Sequence, residues 1–222
     1  SYSGSRQILE EALSSAKQRL IMVWPWSLDM HMDRSLMQKL EWFVKQGRQL
    51  DIGWCHITSA EDDRFLSVIN RRWSFDPLHR RSMKRTLQYL LALKRRYPNN
   101  FKFRVLGTIE NFLVADQTFA VLGIEDRLTP ISSLKDISLK LWTSDTAVIQ
   151  QLIQTFDHTE LVPEDIESHW NRAVTRYDLG DRVGAIADVN QVLSIQPDHA
   201  AACNMRGLIH FDQGDVELAL AD

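Results

Sequence analysis

The chain has 222 residues, 44% of them hydrophobic, and a formal net charge of −3, enough apolar material for one large or two small packed domains. No apolar run reaches the ~18 residues of a membrane-spanning helix, and no secretory signal is visible. Cys55 and Cys203 form no motif and read as buried free thiols, which suits a reducing cytoplasm rather than a disulfide scaffold. The charge is uneven: from Arg71 to Arg104 eleven Lys or Arg face one acid, Asp76, and from Ile166 to Asp222 nine acids face four Arg.

The predicted elements alternate through the first 160 or so residues. Ile8, Leu9, Ala12, Leu13 and Ala16 share a helix face, and Leu20–Trp24 is a short buried strand closed by Pro25. Leu36, Leu40, Phe43 and Val44 mark a second amphipathic helix stopped at Gly47, with Leu50–Trp54 as the next strand. That β-α-β order favours parallel pairing with a right-handed crossover. Between Thr58 and Pro77 a short helix is expected around Phe65–Ile69. Leu78–Tyr97 is a long helix ended by Pro98-Asn99-Asn100, and Phe101–Leu106 alternates like a strand. Phe112–Asp116 and Phe119–Gly123 read as a hairpin across Gln117-Thr118. Ser138–Trp142 is a further strand, Ala147–Phe156 a helix, and Asp157–Asp165 the linker candidate.

The last part repeats itself. Arg172-Ala173 returns as Arg206-Gly207, Gly180-Asp181 as Gly214-Asp215, and Ala185-Ile186-Ala187-Asp188 as Ala219-Leu220-Ala221-Asp222, each 34 residues on. Helices are expected over His169–Leu179, Arg182–Ile195 and Ala200–Gln213, with another starting at Asp215. Such a unit cannot bury its apolar face alone and must stack. The chain stops partway through the last helix, which suggests a fragment of a longer array.

The repeat resembles the tetratricopeptide family. Ala173, Ala185 and Pro197 take the family's small-residue and helix-stop positions, Gly207 and Ala219 recur one period on, and Trp170 and Tyr177 lie one place from its aromatic positions. Gly180 and Gly214 mark the turns. The resemblance implies a groove that binds a protein segment.

The front resembles one half of the phospholipase D superfamily, whose hairpin carries His-x-Lys-x-x-x-x-Asp and then a Gly seven residues after the Asp. Asn111-Phe-Leu-Val-Ala-Asp116 and Gly123 match the hairpin, the Asp and the Gly. Ile109 stands at the histidine position, Asn111 at the lysine position, and Ile124 and Asp126 at later polar positions. The family's chemistry needs an imidazole to attack phosphorus and a cation to hold phosphate oxygens. The departures therefore imply a dismantled site, with Asp116 capping its hairpin turn. Because family halves work in pairs, the resemblance also implies a homodimer through the front domain.

Other features carry less. Arg71, Arg72, Arg80, Arg81, Lys84, Arg85, Lys94, Arg95 and Arg96 interleave with Trp73, Phe75, Tyr89 and Tyr97. They are either a solvated helix face or, with Arg80, Arg81, Lys84 and Arg85 as the core, a contact for nucleic acid or another anionic surface. Trp24, Trp26 and Trp54 at strand ends are core packing or the walls of a vestigial pocket. His31 with Asp33, and His56 with Glu61 and Asp62, lack metal-site spacing. No cofactor or metal is called for.

The whole reads as a phospholipase D-like α/β domain, a mixed sheet flanked by helices, over 1–162. All-α tetratricopeptide helical hairpins follow over 163–222. The expected function is a non-catalytic cytoplasmic scaffold or adaptor, not an enzyme. A nucleic-acid-binding regulator is the alternative and a residual phosphodiesterase or nuclease the lesser one.

Overall fold

The computed structural model describes residues 4–25, 32–55, 77–108, 110–123, 140–158 and 160–222, without the side chains at 25, 55, 77–84, 87 and 178. The helix expected around Phe65–Ile69 lies outside the described residues, as do Trp26, His31, His56, Glu61 and Asp62. Contacts divide the chain into two compact units. One holds the described residues to Trp54, those from 77 to 104 and those from 110 to 158, and the other holds 105–108 and 160–222.

The first unit runs α1 (Gly4–Ser15), β1 (Arg19–Pro25), α2 (Arg34–Lys45), β2 (Gln49–Cys55), α3 (Pro77–Arg96), β3 (Phe101–Val105), β4 (Phe112–Ala115), β5 (Phe119–Leu122), β6 (Leu141–Thr143) and α4 (Thr146–Asp157). These strands form one mixed sheet in the order β3-β2-β1-β4-β5-β6. Helical crossovers join β1 to β2 and β2 to β3, so these neighbours need no tight turn. The β4–β5 hairpin enters antiparallel to β1, with Leu20 opposite Ala115 and Val23 opposite Phe112. β6 then pairs antiparallel to β5, Leu141 opposite Leu122. It begins at Leu141, so the expected strand over Ser138–Trp142 is shorter within the described residues and shifted toward Thr143.

Every residue of β4 is buried, as are Leu20 to Trp24 of β1. Such continuous apolar runs need cover on both faces, which an alternating strand would not. The helices supply it with one stripe each: Leu9, Ala12 and Leu13 from α1, Leu36, Leu40 and Phe43 from α2, Leu90 and Leu93 from α3, and Ile149, Leu152 and Phe156 from α4. Asp33 starts α2 by accepting the Leu36 N–H at 2.7 Å, and Asp145 starts α4 from the N–H groups of Ala147 and Val148.

In the second unit α5 (Ile166–Leu179) and α6 (Arg182–Ile195) form one helical hairpin, and α7 (Ala200–Gln213) and α8 (Val216–Ala221) a second. α5 begins three residues before the expected His169, because Asp165 caps it through the Ser168 N–H. Gly180 (φ 83°) and Gly214 (φ 91°) end α5 and α7 in the left-handed region, where a Cβ would be strained. The 34-residue spacing thus recurs as a backbone event. Trp170, Ala173, Val174, Ala185, Val189 and Met205 are among the residues of the shared core. Pro197 lies in the turn before α7, and a Cβ on Gly207 would come within 3.2 Å of the Ala219 carbonyl oxygen. Gly107 lies close against α5: a Cβ there would meet the Ser168 carbonyl oxygen at 2.5 Å. Cys203 is a half-buried free thiol, not a buried one.

A charged pair also recurs with the period. Asp188 accepts from Arg172 at 2.6 Å and from Arg176 at 2.8 Å, with His169 at 3.4 Å. One period on, Asp222 accepts from Arg206 at 2.6 Å, with His210 beside it at 3.9 Å. Asp188 is 2% exposed, so removing it takes from the partly buried Arg172 and Arg176 the carboxylate they share. Asp188→Ala is expected to cost the helical unit about 3–5 kcal/mol. Urea unfolding followed by helical circular dichroism measures it, and an unchanged midpoint would show the cluster to be solvated.

Candidate functional site

Antiparallel pairing decides which motif positions meet. Val23, Phe112, Leu122 and Leu141 stand level across β1, β4, β5 and β6. Trp24, Asn111, Gly123 and Lys140 therefore gather at one end of the sheet. Asn111 and Gly123 are neighbours, since the Gly123 N–H donates to the Asn111 carbonyl at 3.2 Å. Gly123 has φ 80°, a conformation that glycine adopts freely. The start of α1 reaches the same end: a Cβ on Gly4 would lie 3.6 Å from Lys140 Nζ.

Asn111 is the informative member. Its Oδ1 is buried, and its carboxamide makes no hydrogen bond among the described residues. Buried amides in folded proteins find partners, and one that does not calls for an explanation. Either end of a carboxamide can be turned outward, so the group can present an N–H donor to an anion. Trp24 and Trp54 are buried in the sheet, and the Trp54 ring meets Phe103 edge-on at 4.3 Å. Ile109, Ile124 and Asp126 lie outside the described residues.

Near the same end is a compensated charge network. Arg6, 2% exposed, donates to Glu10 at 2.9 Å and to Asp33 at 3.4 Å, and Lys39 meets Glu10 at 2.8 Å. The Lys39 and Arg6 hydrogen bonds hold the Glu10 carboxyl below its ordinary value. Asp33, which lacked metal-site spacing with His31, is thus both a helix cap and an ion-pair partner.

Asp116 belongs elsewhere. It follows β4 at the end opposite Asn111, roughly 16 Å away for a strand of this length. It is the non-glycine residue with positive φ, 53°, among the described residues. Its carboxylate accepts from the backbone N–H groups of Lys17 at 2.8 Å, Gln18 at 2.9 Å and Arg19 at 2.7 Å. The expected capping of its own turn is corrected: Thr118 closes that turn onto the Ala115 carbonyl, and Asp116 holds the entry to β1 instead. Burial pushes its pKa up, but the N–H groups of Lys17, Arg19 and Gln18 together outweigh that and hold it below the ordinary value. Beside it Arg19 binds Asp51 of β2 at 2.6 Å and Asp157 of α4 through two hydrogen bonds, at 2.9 and 2.7 Å. Asp157, expected at the head of a linker, is therefore fixed in the fold.

Of the basic positions, Arg85 is exposed on α3, and Arg80, Arg81 and Lys84 lie on its N-terminal half with side chains outside the described residues. Tyr89 is half-buried with its hydroxyl donated to the Met37 carbonyl, so it offers no open face for stacking. Sequence reasoning overlooked Lys140. It is far from Asn111 along the chain, and strand order alone brings it near. Among the described residues no cluster of His, Cys, Asp and Glu could hold a metal, and no helix is long and apolar enough to cross a membrane.

No protein-family model and no curated protein matches the sequence. Solved structures resemble it in outline. NucT from Helicobacter pylori does so at TM-score 0.44 and 15% identity, over 70% of this chain and 88% of its own. The phosphatidylserine synthase of Haemophilus influenzae Rd KW20 does so at 0.43 and 11%, over 84% of this chain and 45% of its own. The polyphosphate kinase of Porphyromonas gingivalis gives 0.39 and 11%, over 86% and 34%. The chain thus spans less than half the length of the latter two. All three are phospholipase D-superfamily enzymes, and they overturn the expectation of a non-catalytic scaffold or adaptor that is no enzyme. A reading from two hairpin positions, Ile109 and Asn111, does not see the groups that other segments bring to a site.

Because its folded pKa is depressed, the Asp116 anchor contributes stability that is present above the unfolded Asp value near ~3.9. That stability is lost as pH falls below this value through the lower folded one. Asp116→Asn is expected to lower stability by about 1–2 kcal/mol at neutral pH, partial exposure keeping the loss small. The two proteins should converge once the pH lies below the folded pKa of Asp116. Urea midpoints across pH measure this, and a gap that persists in acid would mean the carboxylate charge is not the anchor.

Proposed function

We propose that the first unit is a phosphate-holding half of a phospholipase D-type enzyme acting on a phosphodiester. The observation that carries this reading is the buried Oδ1 of the half-buried Asn111, without a hydrogen-bond partner among the described residues, beside Gly123. An amide N–H there would donate to a phosphate oxygen, and the Lys140 ammonium adds positive charge at the same end of the sheet. The attacking imidazole must come from a different half. A second copy of this chain would bring only another Ile109, so a homodimer through this unit would hold two amides and no nucleophile.

The test is turnover by the native polypeptide that contains this chain, with a chromogenic phosphodiester as substrate. Asn111→Ala is expected to lower kcat/KM by about 10²-fold, the scale of losing one preorganised donor. Turnover no higher than the blank, or an unchanged kcat/KM in the variant, would reject the reading.

A second reading concerns the helical unit. We propose that its hairpins are of tetratricopeptide type and hold a segment of a protein partner in the cytoplasm. Supporting it is a recurrence that includes both turn glycines and the Arg172–Asp188 and Arg206–Asp222 pairs. Ala173 is fully buried between helices, so Ala173→Glu should open the hairpin and release the partner. Affinity capture with both proteins tests this, and an identical set of captured proteins would count against a binding role for this unit.

A further inference from the structure

α3 is a 20-residue helix, about 30 Å long, with seven Lys or Arg and no acid in its sequence. Its apolar side is occupied, since Leu90 and Leu93 are buried. Part of its charge has a structural explanation: Lys94, Arg95 and Arg96 lie in the last turn, where the helix dipole favours cations, and Arg96 pairs with Glu41. The remainder has none. Arg80 and Arg81 stand at the beginning of a helix whose first turn has no acid, the end at which the dipole opposes positive charge. Arg85 is exposed and makes no ion pair among the described residues, and beyond the dipole the exposed Lys94 and Arg95 make none either. Charge set against its own helix dipole is a local conflict of the kind tolerated where a ligand resolves it.

We propose that α3 is a docking face for the phosphate backbone of a nucleic-acid duplex. The cations stand toward both ends of the helix, at 80–85 and 94–96, a span that matches a linear polyanion rather than a single phosphate group. Arginine outnumbers lysine five to two on α3, and its planar fork grips phosphate oxygens in pairs. Contact is with phosphates rather than bases, because the Tyr89 hydroxyl is taken by Met37 and its ring is half-buried. Binding is therefore independent of base sequence. An anionic membrane fits less well. A helix lying on lipid presents a broad apolar face, whereas Leu91, 41% exposed, is the large apolar side chain that α3 leaves open among the described residues.

The test uses the native protein with a short fluorescent DNA duplex and, separately, phosphatidylserine-containing vesicles, between about 50 and 200 mM salt. Duplex binding is expected, falling steeply with salt and unaffected by shuffling the base sequence. Replacing Arg85 and Arg95 together by Ala should reduce the slope of log affinity against log salt by roughly 0.9 per cation removed. Both side chains are exposed, and unchanged circular dichroism confirms that the variant is folded. Absence of duplex binding at low salt, an unchanged slope in the variant, or binding to vesicles alone would each overturn the proposal. Binding is measured without turnover, so this inference and the Asn111 reading fail independently.

Discussion

Asp116 ties the first unit together by joining two parts of the chain that are almost a hundred residues apart. Its carboxylate receives three successive N–H groups, from Lys17, Gln18 and Arg19, at the point where the chain enters β1. These donors precede a strand and have no ladder partner of their own, so without the carboxylate they would need water. The left-handed backbone at Asp116 turns the side chain back toward them. The pairing of Leu20 with Ala115 follows directly, and from it the level of every strand beyond β4. A slip of one residue between β1 and β4 would exchange the sheet face against which each β4 side chain packs.

The same entry point distributes charge through the interior. Arg19 ends the three-donor segment and carries its guanidinium to Asp51, which is fully buried, and to Asp157. Burial opposes the charge on Arg19, but the hydrogen bonds and the charges of Asp157 and Asp51 raise its pKa all the same. Arg104 closes the far side by donating to the carbonyls of Phe156 and Asp157, the unsatisfied groups at the end of α4. One loop thus positions β1, β2 and α4 together. The end of the sheet with Asn111, Gly123 and Lys140 lies away from this lock.

Legibility in the sequence followed the range of the interaction. The strands of the hairpin, the amphipathic helices and the turn glycines were readable because apolar spacing and positive φ are local properties. The period of the helical unit was readable too, but the Arg172–Asp188 and Arg206–Asp222 pairs were not, since sixteen residues and a turn separate each pair. The Asp of the motif was visible, yet its partners at Lys17 to Arg19 left no pattern that spacing could reveal. The expectation of a non-catalytic protein, drawn from Ile109 and Asn111, is corrected by the enzymes that the fold resembles in outline, and no spacing in the chain pointed to them.

By itself the sequence determined which segments are helix and strand, where the helical repeat turns, and that residues 71–104 carry eleven of the 26 Lys and Arg. Each of these rests on neighbours within a few positions along the chain. Only the tertiary structure decided that Asn111, Gly123 and Lys140 share one end of the sheet while Asp116 secures the other. It also decided that Tyr89 is occupied while Arg85 and Arg95 stay exposed. Strand order and burial are properties of long-range packing, and packing energy depends on which surfaces meet rather than on the order in which residues are joined.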